Sequence, residues 1–255
     1  MVDKTKTGYI VGFAALVCGV FGSVVAVAAV QLKPRQIENK ILDQQKQVLS
    51  VVGLLEDGAS KDAIKQAYTT NIEEIVIDLK TGKPAEGVDI AAFDQQKAKK
   101  DPATSAAAPA NSAKVLRLPT NAKVFKVKAD GSLILPIEGY GLWSTLYGFL
   151  ALEADGTTIK GITYYEHGET PGLGGEVDNP NWKAQFPGRK AFDDKGQVAI
   201  KVSKGDHSDI KKFPYEVDAM SGATITSNGV TNMLHFWLGE NGFGPYLAGH
   251  KKGHK

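Results

Sequence analysis

The sequence predicts an α+β fold in which a single N-terminal transmembrane helix precedes a domain with a mostly antiparallel sheet and flanking helices. Three observations support this prediction. An uncharged and mostly apolar run extends over residues 7–32. From Val115 onward, short segments rich in β-branched and aromatic residues alternate with glycine-containing turns. An amphipathic helix pattern lies near the C-terminus, and the sequence shows no βαβ repeat that would indicate a parallel sheet.

The apolar run is long enough to cross a membrane. As a helix, about 26 residues would extend roughly 39 Å, which exceeds the thickness of the hydrocarbon core of a bilayer. We predict a short tail over residues 1–8 and a transmembrane helix over residues 9–32. The alternative is a cleaved signal peptide, because Ala26-Val27-Ala28 resembles a cleavage site. The anchor is favoured since the run stays apolar beyond that site, whereas flanking charge does not determine its orientation.

Residues 33–114 are predicted to form a membrane-proximal segment of helices and one strand. Apolar residues at helical spacing predict a helix over residues 34–52. A second short helix is predicted over residues 60–68, where a serine opens the pattern as a plausible N-cap. β-Branched residues predict a strand over residues 72–79. The stretch over residues 95–113 is rich in Ala, Ser, Pro and Lys, which predicts a mobile linker.

The globular domain is predicted to cover residues 115–250 and to be followed by a short tail over residues 251–255. Asp130-Gly131 and Asp155-Gly156 are turn pairs typical of hairpins, and they favour an antiparallel sheet. Strands are predicted at residues 123–128, 133–137, 147–152, 159–165 and 197–202. The last helix is predicted over residues 228–238, because its apolar residues form one stripe at helical spacing.

Composition limits the chemistry that the chain can support. The formal net charge is +2 and the basic residues form no long block, so the sequence does not predict a nucleic-acid-binding protein. Cys18 is the single cysteine, which excludes disulfide bonds within the chain, thiolate zinc sites and self-contained iron–sulfur clusters. If the chain carries electrons, an organic cofactor must therefore do so.

Hydroxyl-bearing and small residues are concentrated between Asp218 and Ser227, directly before the last helix. From the residues alone, the simplest interpretation is a helix N-cap, in which Thr226 or Ser227 accepts a hydrogen bond from a free backbone N–H. The alternative is a phosphate site, because Gly222 allows a ligand to approach the backbone closely. Thr224 and Thr226 would face the same way on an extended segment.

The same stretch resembles the flavinylation signal of membrane redox complexes. The resemblance rests on Asp218 and on the segment Ser221-Gly222-Ala223-Thr224-Ile225-Thr226. In that family, a magnesium-dependent flavin transferase moves FMN from FAD onto the last threonine and releases AMP. The resemblance implies a covalent FMN joined through its phosphate to Thr226, with Asp218 as part of the signal. It also implies cofactor-binding roles for Ser221, Gly222, Ala223 and Thr224.

A second motif, over residues 139–148, resembles a signature of flavin-binding domains. Trp143 lies within it and is predicted to border the flavin, because a flat aromatic side chain covers a flat ligand well. For its neighbour Leu142, a flavin contact and a place in the hydrophobic core are both open.

A glycine-rich motif over residues 167–176 is the third element of the pattern. Its glycines leave backbone N–H and C=O groups accessible, and a flavin ring needs such partners. Taken alone, this motif would indicate a surface loop, but its sequence resembles the same flavoprotein family. The resemblance implies that the flavin contacts Glu169, Thr170, Leu173 and Gly174.

Other candidate residues carry weaker signals. Trp182 is predicted to pack within an ordered loop, and Lys201 is predicted to be solvated or to approach the flavin phosphate. His250 and His254 have i, i+4 spacing, but their Lys- and Gly-rich surroundings do not predict a metal site. We therefore predict neither a catalytic residue nor a metal ligand in this chain.

With these motifs, nearly the whole chain resembles the C subunits of bacterial Na⁺-translocating NADH:quinone oxidoreductases, an FMN-binding family related to the G subunits of Rnf complexes. Such complexes pass electrons from NADH to ubiquinone and move Na⁺. The resemblance implies an electron relay through covalent FMN, with the other subunits as partners and a flavin transferase acting during maturation. It implies a single-pass protein of the bacterial inner membrane, in contact with lipid, with its soluble domain in the periplasm. An Rnf G subunit and an anchored non-redox binding or assembly module are the alternatives.

Overall fold

The computed structural model describes residues 6–55 and 58–253. Residues 1–5 of the expected N-terminal tail lie outside the described ranges. The same holds for residues 254 and 255 of the expected C-terminal tail, and therefore for His254 of the histidine pair.

The first of two structural units, Met1–Asp43, contains most of helix α1, which extends over Thr7–Val51. The apolar stretch of α1 has no buried residue, and among the described residues α1 is the one helix long and apolar enough to cross a membrane. The expected span over residues 9–32 lies inside α1. The sequence favoured a separate helix starting at Pro34, but α1 continues through this proline, because helix-forming residues follow it and its fixed φ is helical.

The second unit, Gln44–Lys255, contains the elements that follow α1. Its strands are β1 Ile72–Asp78, β2 Ser105–Ala107, β3 Arg117–Pro119, β4 Asn121–Val127, β5 Leu133–Tyr140, β6 Thr145–Leu152, β7 Ile159–Glu166, β8 Lys201–Ser203 and β9 Glu216–Asp218. Its helices are α2 Lys61–Asn71, α3 Gln95–Lys100, α4 Pro180–Lys183, α5 Thr224–Leu238 and α6 Gly244–Gly253, with a 3-10 turn at Gly174–Asp178. These elements confirm the predicted α+β fold.

Five strands form one antiparallel sheet in the order β1-β4-β5-β6-β7. The two Asp-Gly pairs lie in the turns between β4 and β5 and between β6 and β7, where Gly131 and Gly156 adopt positive φ angles of 74° and 61°. Strand β2 pairs with β3 in antiparallel fashion, while β8 and β9 form a short parallel pair. The sheet structure is therefore mostly antiparallel, as predicted.

Helix α5 packs against β5 through its apolar stripe. The stripe predicted from the sequence is buried and consists of Val230, Met233, Leu234, Trp237 and Leu238. The approach is close, because a Cβ on Gly139 would lie 2.7 Å from the Cβ of Met233. Trp237 also donates its indole Nε1–H to the Glu138 carbonyl at 2.7 Å. These contacts fix the position of α5 relative to the β5–β6 hairpin.

The segment over residues 95–113 differs from the expected linker. It contains helix α3, which is capped by the Asp94 side chain, and strand β2, which pairs with β3. Lys99 forms an ion pair with Glu138 of β5, and the Gln96 side-chain amide donates to the same carboxylate at 3.3 Å. Composition misses this structure because the contacts of Gln96 and Lys99 with Glu138 exist only in the folded chain.

Two other local predictions have different outcomes. The predicted cap of α2 is confirmed, because the Ala63 backbone N–H donates to the Ser60 hydroxyl at 3.2 Å. The strand expected over residues 197–202 is shorter and begins later, as β8. The backbone before β8 is instead engaged in an irregular connection, where the Ala199 N–H donates to the Ala191 carbonyl at 2.9 Å.

Candidate functional site

Three segments that are distant in sequence meet at the N-terminal end of α5. They are the turn over residues 141–144 between β5 and β6, the loop over residues 167–176 after β7, and the first turn of α5 itself. Glu169 of the loop connects them, because its carboxylate accepts hydrogen bonds from both other segments. The structure therefore brings all three sequence motifs to one site.

The Glu169 carboxylate is held by both of its oxygen atoms. Oε1 accepts from the backbone N–H groups of Leu142 at 3.1 Å, Trp143 at 2.9 Å and Ser144 at 3.2 Å. Oε2 accepts from the Thr226 hydroxyl at 2.6 Å. Burial alone would raise the pKa of this carboxyl, but the hydrogen bonds from Thr226 and from the three N–H groups hold its pKa below the ordinary value. The group is therefore a carboxylate at neutral pH.

Two glycines make room for this hydrogen-bonded pair. A Cβ on Gly141 would lie 2.6 Å from Glu169 Oε1. A Cβ on Gly174 would lie 2.5 Å from Glu169 Oε2 and 2.6 Å from Thr226 Oγ1. Thr226 is only 1% exposed. The hydroxyl is thus covered by a segment that carries no side chain at the point of contact.

The two threonines of the hydroxyl-rich stretch lie in a helix rather than on an extended segment. Helix α5 begins at Thr224, with Ala223, which has no polar side chain, as its cap residue. Positions two apart differ by about 200° around a helix, so Thr224 is exposed whereas Thr226 is buried. The N-cap interpretation is wrong, because Thr226 and Ser227 both lie inside the first turn. Ser227 Oγ instead accepts from the Met220 N–H at 3.1 Å.

Asp218 lies in β9, and its side chain does not contact the threonine. Its carboxylate accepts from the His207 backbone N–H at 2.7 Å and lies 2.8 Å from His207 Nδ1. Trp182 is buried and donates its Nε1–H to the Asp218 carbonyl at 2.8 Å, which confirms that Trp182 packs within the loop. In this structure, Asp218 therefore stabilises the connection between β8 and β9.

Four apolar side chains are exposed on the three segments that meet at Glu169. We refer to them as the apolar rim, which consists of Leu142, Trp143, Leu173 and Ile225, with exposed fractions of 41%, 65%, 44% and 58%. The exposure of Leu142 excludes its place in the core, which the sequence left open. Exposed apolar side chains beside polar groups are suited to contact with a flat ring that carries a polar tail.

The remaining predicted residues shape the same site in different ways. Ser221 and Gly222 are exposed, Ala223 is buried, and Gly222 has a φ of +70°. A Cβ on Gly222 would lie 2.9 Å from Leu173 Cδ2, so this glycine allows the loop to approach. Thr170 is exposed, and its carbonyl accepts from the Leu173 N–H at 3.1 Å, which closes the loop.

Sequence reasoning missed two residues of the site. Gly141 gives the Glu169 carboxylate its space, and Ser144 Oγ accepts from the Gly168 N–H at 2.6 Å, which joins the turn to the loop. Both lie inside the motif over residues 139–148, which was the available signal.

The weaker candidates from the sequence contact residues outside this site. Lys201 Nζ is 3.4 Å from Glu216, and His250 Nε2 is 3.0 Å from the Ala154 carbonyl.

Sequence comparisons identify relatives over almost the full length of the chain. The family model described as FMN-binding domain matches residues 141–239. The C subunit of the Na⁺-translocating NADH-quinone reductase of Pseudomonas aeruginosa is 46% identical over 259 residues, which cover 99% of each chain. The protein of the same description from Pasteurella multocida is 47% identical over 247 residues, which cover 94% of this chain and 91% of the relative.

Solved structures with the same fold carry related descriptions. The crystal structure of Shewanella oneidensis NqrC matches with a TM-score of 0.76 and 36% identity, covering 84% of this chain and 99% of that chain. The crystal structure of the C subunit of the Na⁺-translocating NADH-quinone reductase from Parabacteroides distasonis matches with a TM-score of 0.65 and 28% identity, covering 85% of this chain and 96% of that chain.

Proposed function

This chain belongs to the family of C subunits of Na⁺-translocating NADH-quinone reductases, and we propose that it relays electrons in such a complex through an FMN bound covalently at Thr226. The family membership and the FMN-binding domain support a flavin-carrying subunit of the complex. The phosphoester to Thr226 and the relay role are the proposed additions.

The observation that carries this proposal is the placement of the Thr226 hydroxyl where the three motifs meet. The hydroxyl lies on helix α5 and donates a 2.6 Å hydrogen bond to Glu169, so the oxygen that would form the ester is fixed before attachment. Gly174 lies over this hydroxyl without a side chain, so displacement of the loop backbone alone would uncover it. The residues present therefore fit a flavin that is joined to the protein through its phosphate.

Other residues of the site would hold the flavin ring and its side chain. When bound, FMN supplies one-electron transfer, which no side chain of the site provides. The apolar rim offers Leu142 and Trp143 of the turn and Leu173 of the loop for contact with the ring. Backbone groups of the loop over residues 167–176 would bind its polar edge. The exposed Ser221 lies in the segment that leads into α5.

The exposure of the apolar rim favours a relay over a substrate-binding role. A ring that lies against exposed side chains such as Trp143 keeps an edge accessible from outside the domain. Electrons could then enter and leave through neighbouring subunits of the complex without a diffusing substrate. A covalent bond also suits an accessible site, because retention of the cofactor no longer depends on its binding affinity.

The location that we propose is the bacterial inner membrane, with a single span and the domain in the periplasm. The apolar helix α1 is consistent with a membrane anchor in contact with lipid. The other subunits of the reductase would be its stable partners. A flavin transferase, which acts on the segment from Asp218 to Thr226, would be a transient one.

The test of the proposed attachment compares two neighbouring threonines. We predict that Thr226→Ala abolishes covalent flavin incorporation when the chain is co-expressed with a flavin transferase, because no hydroxyl remains beside Glu169. The measurement is flavin fluorescence of the band on a denaturing gel, followed by peptide mass mapping. Thr224→Ala is the matched control, since Thr224 is exposed and lies on the other side of α5. It should keep a fluorescent band.

The outcome also separates the alternatives. If the mass of one esterified FMN maps to a peptide without Thr226, the assigned position is wrong. A chain that stays colourless and unmodified in cells with an active transferase would favour the anchored non-redox module. The Rnf-type assignment is set aside, because the chain belongs to the family of C subunits of the Na⁺-translocating reductases.

A further inference from the structure

The hydrogen bond between Thr226 and Glu169 joins the proposed attachment atom to a carboxylate. Thr226 Oγ1 donates to Glu169 Oε2 at 2.6 Å, and both residues are buried, at 1% and 5% exposure. When a hydroxyl forms a phosphoester, it must lose its proton. A group that accepts this proton must lie within hydrogen-bond distance of the hydroxyl. The structure thus places a proton acceptor on the chain that is to be modified.

The carboxylate does not depend on Thr226 for its position. The N–H groups of Leu142, Trp143 and Ser144, on the turn between β5 and β6, hold Oε1 at 2.9–3.2 Å. The Leu142 N–H also donates to Oε2 at 3.2 Å, and the second partner of Oε2 is the hydroxyl of α5. The orientation of the acceptor is therefore set by a third segment and persists while the hydroxyl reacts.

The protonation states at neutral pH suit this role. The hydrogen bonds from Thr226 and from the backbone N–H groups lower the pKa of Glu169 and keep it ionised. On its own segment, Glu169 has one titratable contact, because its N–H donates to His167 Nδ1 at 3.2 Å, and His167 Nε2 lies 2.8 Å from Asp178. The residues of the turn and of the first helical turn carry no titratable side chain.

We infer that Glu169 accepts the proton of the Thr226 hydroxyl when the flavin is attached, a role that rests on the proposed attachment at Thr226. In the step, Thr226 Oγ1 bonds to the FMN phosphorus of a flavin adenine dinucleotide. The bond from that phosphorus to the oxygen of the AMP phosphate breaks, and AMP leaves with the bonding electron pair. The proton of Oγ1 moves to Glu169 Oε2, and no group is oxidised or reduced.

A carboxylate is a sufficient acceptor for this chemistry, although it is a weak base. Phosphoryl transfer passes through a loose transition state with little bond formation to the attacking oxygen, so the proton leaves late. Protein kinases use an aspartate in the corresponding position for a substrate hydroxyl. Protonation of Glu169 also removes a negative charge that would otherwise lie beside the new phosphodiester.

The geometry also identifies which part of the site must open. Gly174 lies over Thr226 Oγ1, and Leu173 beside it is exposed. Withdrawal of these two residues would uncover the hydroxyl, whereas Glu169 would stay held by the turn over residues 141–144. The residues that cover the hydroxyl, Leu173 and Gly174, and the proton acceptor Glu169 are thus separate parts of one loop.

The test is the rate of flavin transfer to the full-length chain in detergent, with FAD, Mg²⁺ and a flavin transferase, for Glu169→Gln and for the wild type. The readout is covalent flavin on a denaturing gel in a single turnover, from pH 6 to 9. We expect E169Q to react about 100-fold more slowly or worse at pH 6. The deficit should shrink as the pH rises, because hydroxide then takes the proton. Glu176→Gln is the control, since Glu176 binds Asn179 in the same region at 2.6 Å, and it should react like the wild type.

A purely structural role predicts a different result. If the ratio of the E169Q rate to the wild-type rate stays constant over this pH range, or lies within about twofold of one, Glu169 is not the proton acceptor. Because both rates come from the same transferase, its own titration cancels in the ratio. Loss of labelling in T226A together with normal labelling in E169Q would overturn this inference and leave the proposed function intact. Persistent labelling in T226A would overturn the proposed function.

A second variant keeps the inference falsifiable if E169Q shows no cooperative unfolding transition. Glu169→Asp keeps a carboxylate but shortens the side chain by one methylene group. We expect a rate about 3-fold to 30-fold below the wild type, with a ratio that does not change with pH. A wild-type rate in E169D would show that the position of this carboxylate is unimportant and would overturn the inference.

Discussion

At the scale of single residues, Glu169 and Thr226 lie 57 positions apart in sequence and form a buried hydrogen bond of 2.6 Å. A buried carboxylate without partners is strongly unfavourable. Three backbone N–H groups and one hydroxyl offset that penalty here. Because all four donors converge on one group, its surroundings tolerate little added volume.

The tightest point of this packing predicts a stability effect. Gly174→Ala should lower the free energy of unfolding by about 1–3 kcal/mol. The added Cβ would lie 2.5 Å from Glu169 Oε2 and 2.6 Å from Thr226 Oγ1, so the hydrogen bond between them must lengthen. Thermal unfolding of the unmodified chain, followed by circular dichroism, checks this, with roughly 2–4 °C of Tm expected per kcal/mol.

Gly249→Ala is the matched control for this change. Gly249 lies in α6, and a Cβ there would meet nothing within 4 Å. Alanine is also the better helix former, so the Tm of this variant should stay unchanged or rise slightly. Equal Tm values for G174A and G249A would show that Gly174 does not cover the pair as closely as the structure indicates.

At the scale of elements, helix α5 combines a buried apolar stripe with a first turn in which Thr224 and Ile225 are exposed. The stripe could be predicted from the sequence because apolar side chains on one face of a helix recur every three or four residues. The first residue of α5 could not be predicted from the sequence. Hydroxyl residues are common helix caps, so the pattern placed Thr226 before the helix. In the structure α5 begins at Thr224, because Ser227 turns inward to the Met220 N–H.

The two parts of α5 predict different responses to truncation. Leu234→Ala should lower the free energy of unfolding by about 2–5 kcal/mol, because Leu234 is fully buried against the sheet and the change leaves a cavity. Ile225→Ala should change it by less than about 0.5 kcal/mol, because Ile225 is 58% exposed. Chemical denaturation of the unmodified chain measures both. A large loss in I225A would mean that the rim residue is part of the packed core.

At the scale of the whole molecule, the chain consists of two units with different surfaces. Helix α1 exposes apolar side chains over the first unit, whereas the second unit buries its own core around the sheet and α5. The end of α1 belongs to the second unit, and its Val48 and Leu49 are fully buried. The second unit therefore contains the groups needed for a fold of its own.

This division predicts the effect of a deletion. A chain without residues 1–43 should leave the membrane fraction and remain in solution without detergent, because the exposed apolar surface of α1 is gone. It should unfold cooperatively, with a Tm within a few degrees of the full-length chain, since its core is retained. Sedimentation followed by thermal unfolding provides the measurement.

Removal of residues 1–52 is the matched comparison, because it tests whether the end of α1 contributes to the core of the second unit. This longer deletion also removes Val48 and Leu49, whose burial is worth about 1.5–3 kcal/mol each. Its Tm should fall clearly below that of the shorter deletion. If the two deletions unfold at the same temperature, the end of α1 does not contribute to the core of the second unit.

The sequence by itself determined the long apolar N-terminal helix, the antiparallel hairpins, the buried stripe of α5 and the three motifs with Thr226 among them. Each follows from a local rule: the length of an apolar run, the preference of Asp-Gly for tight turns, or the period of a helix. The structure of residues 95–113 did not follow, because its polar contacts with Glu138 join residues about 40 positions apart.

Only the tertiary structure decided how the motifs work together. It placed Glu169 rather than Asp218 beside Thr226, exposed Leu142 and Trp143, and put Thr226 inside a helix. The physical reason is that a buried carboxylate takes whichever donors the fold assembles around it. Those donors come from a turn, a loop and a helix that only the packed sheet brings together.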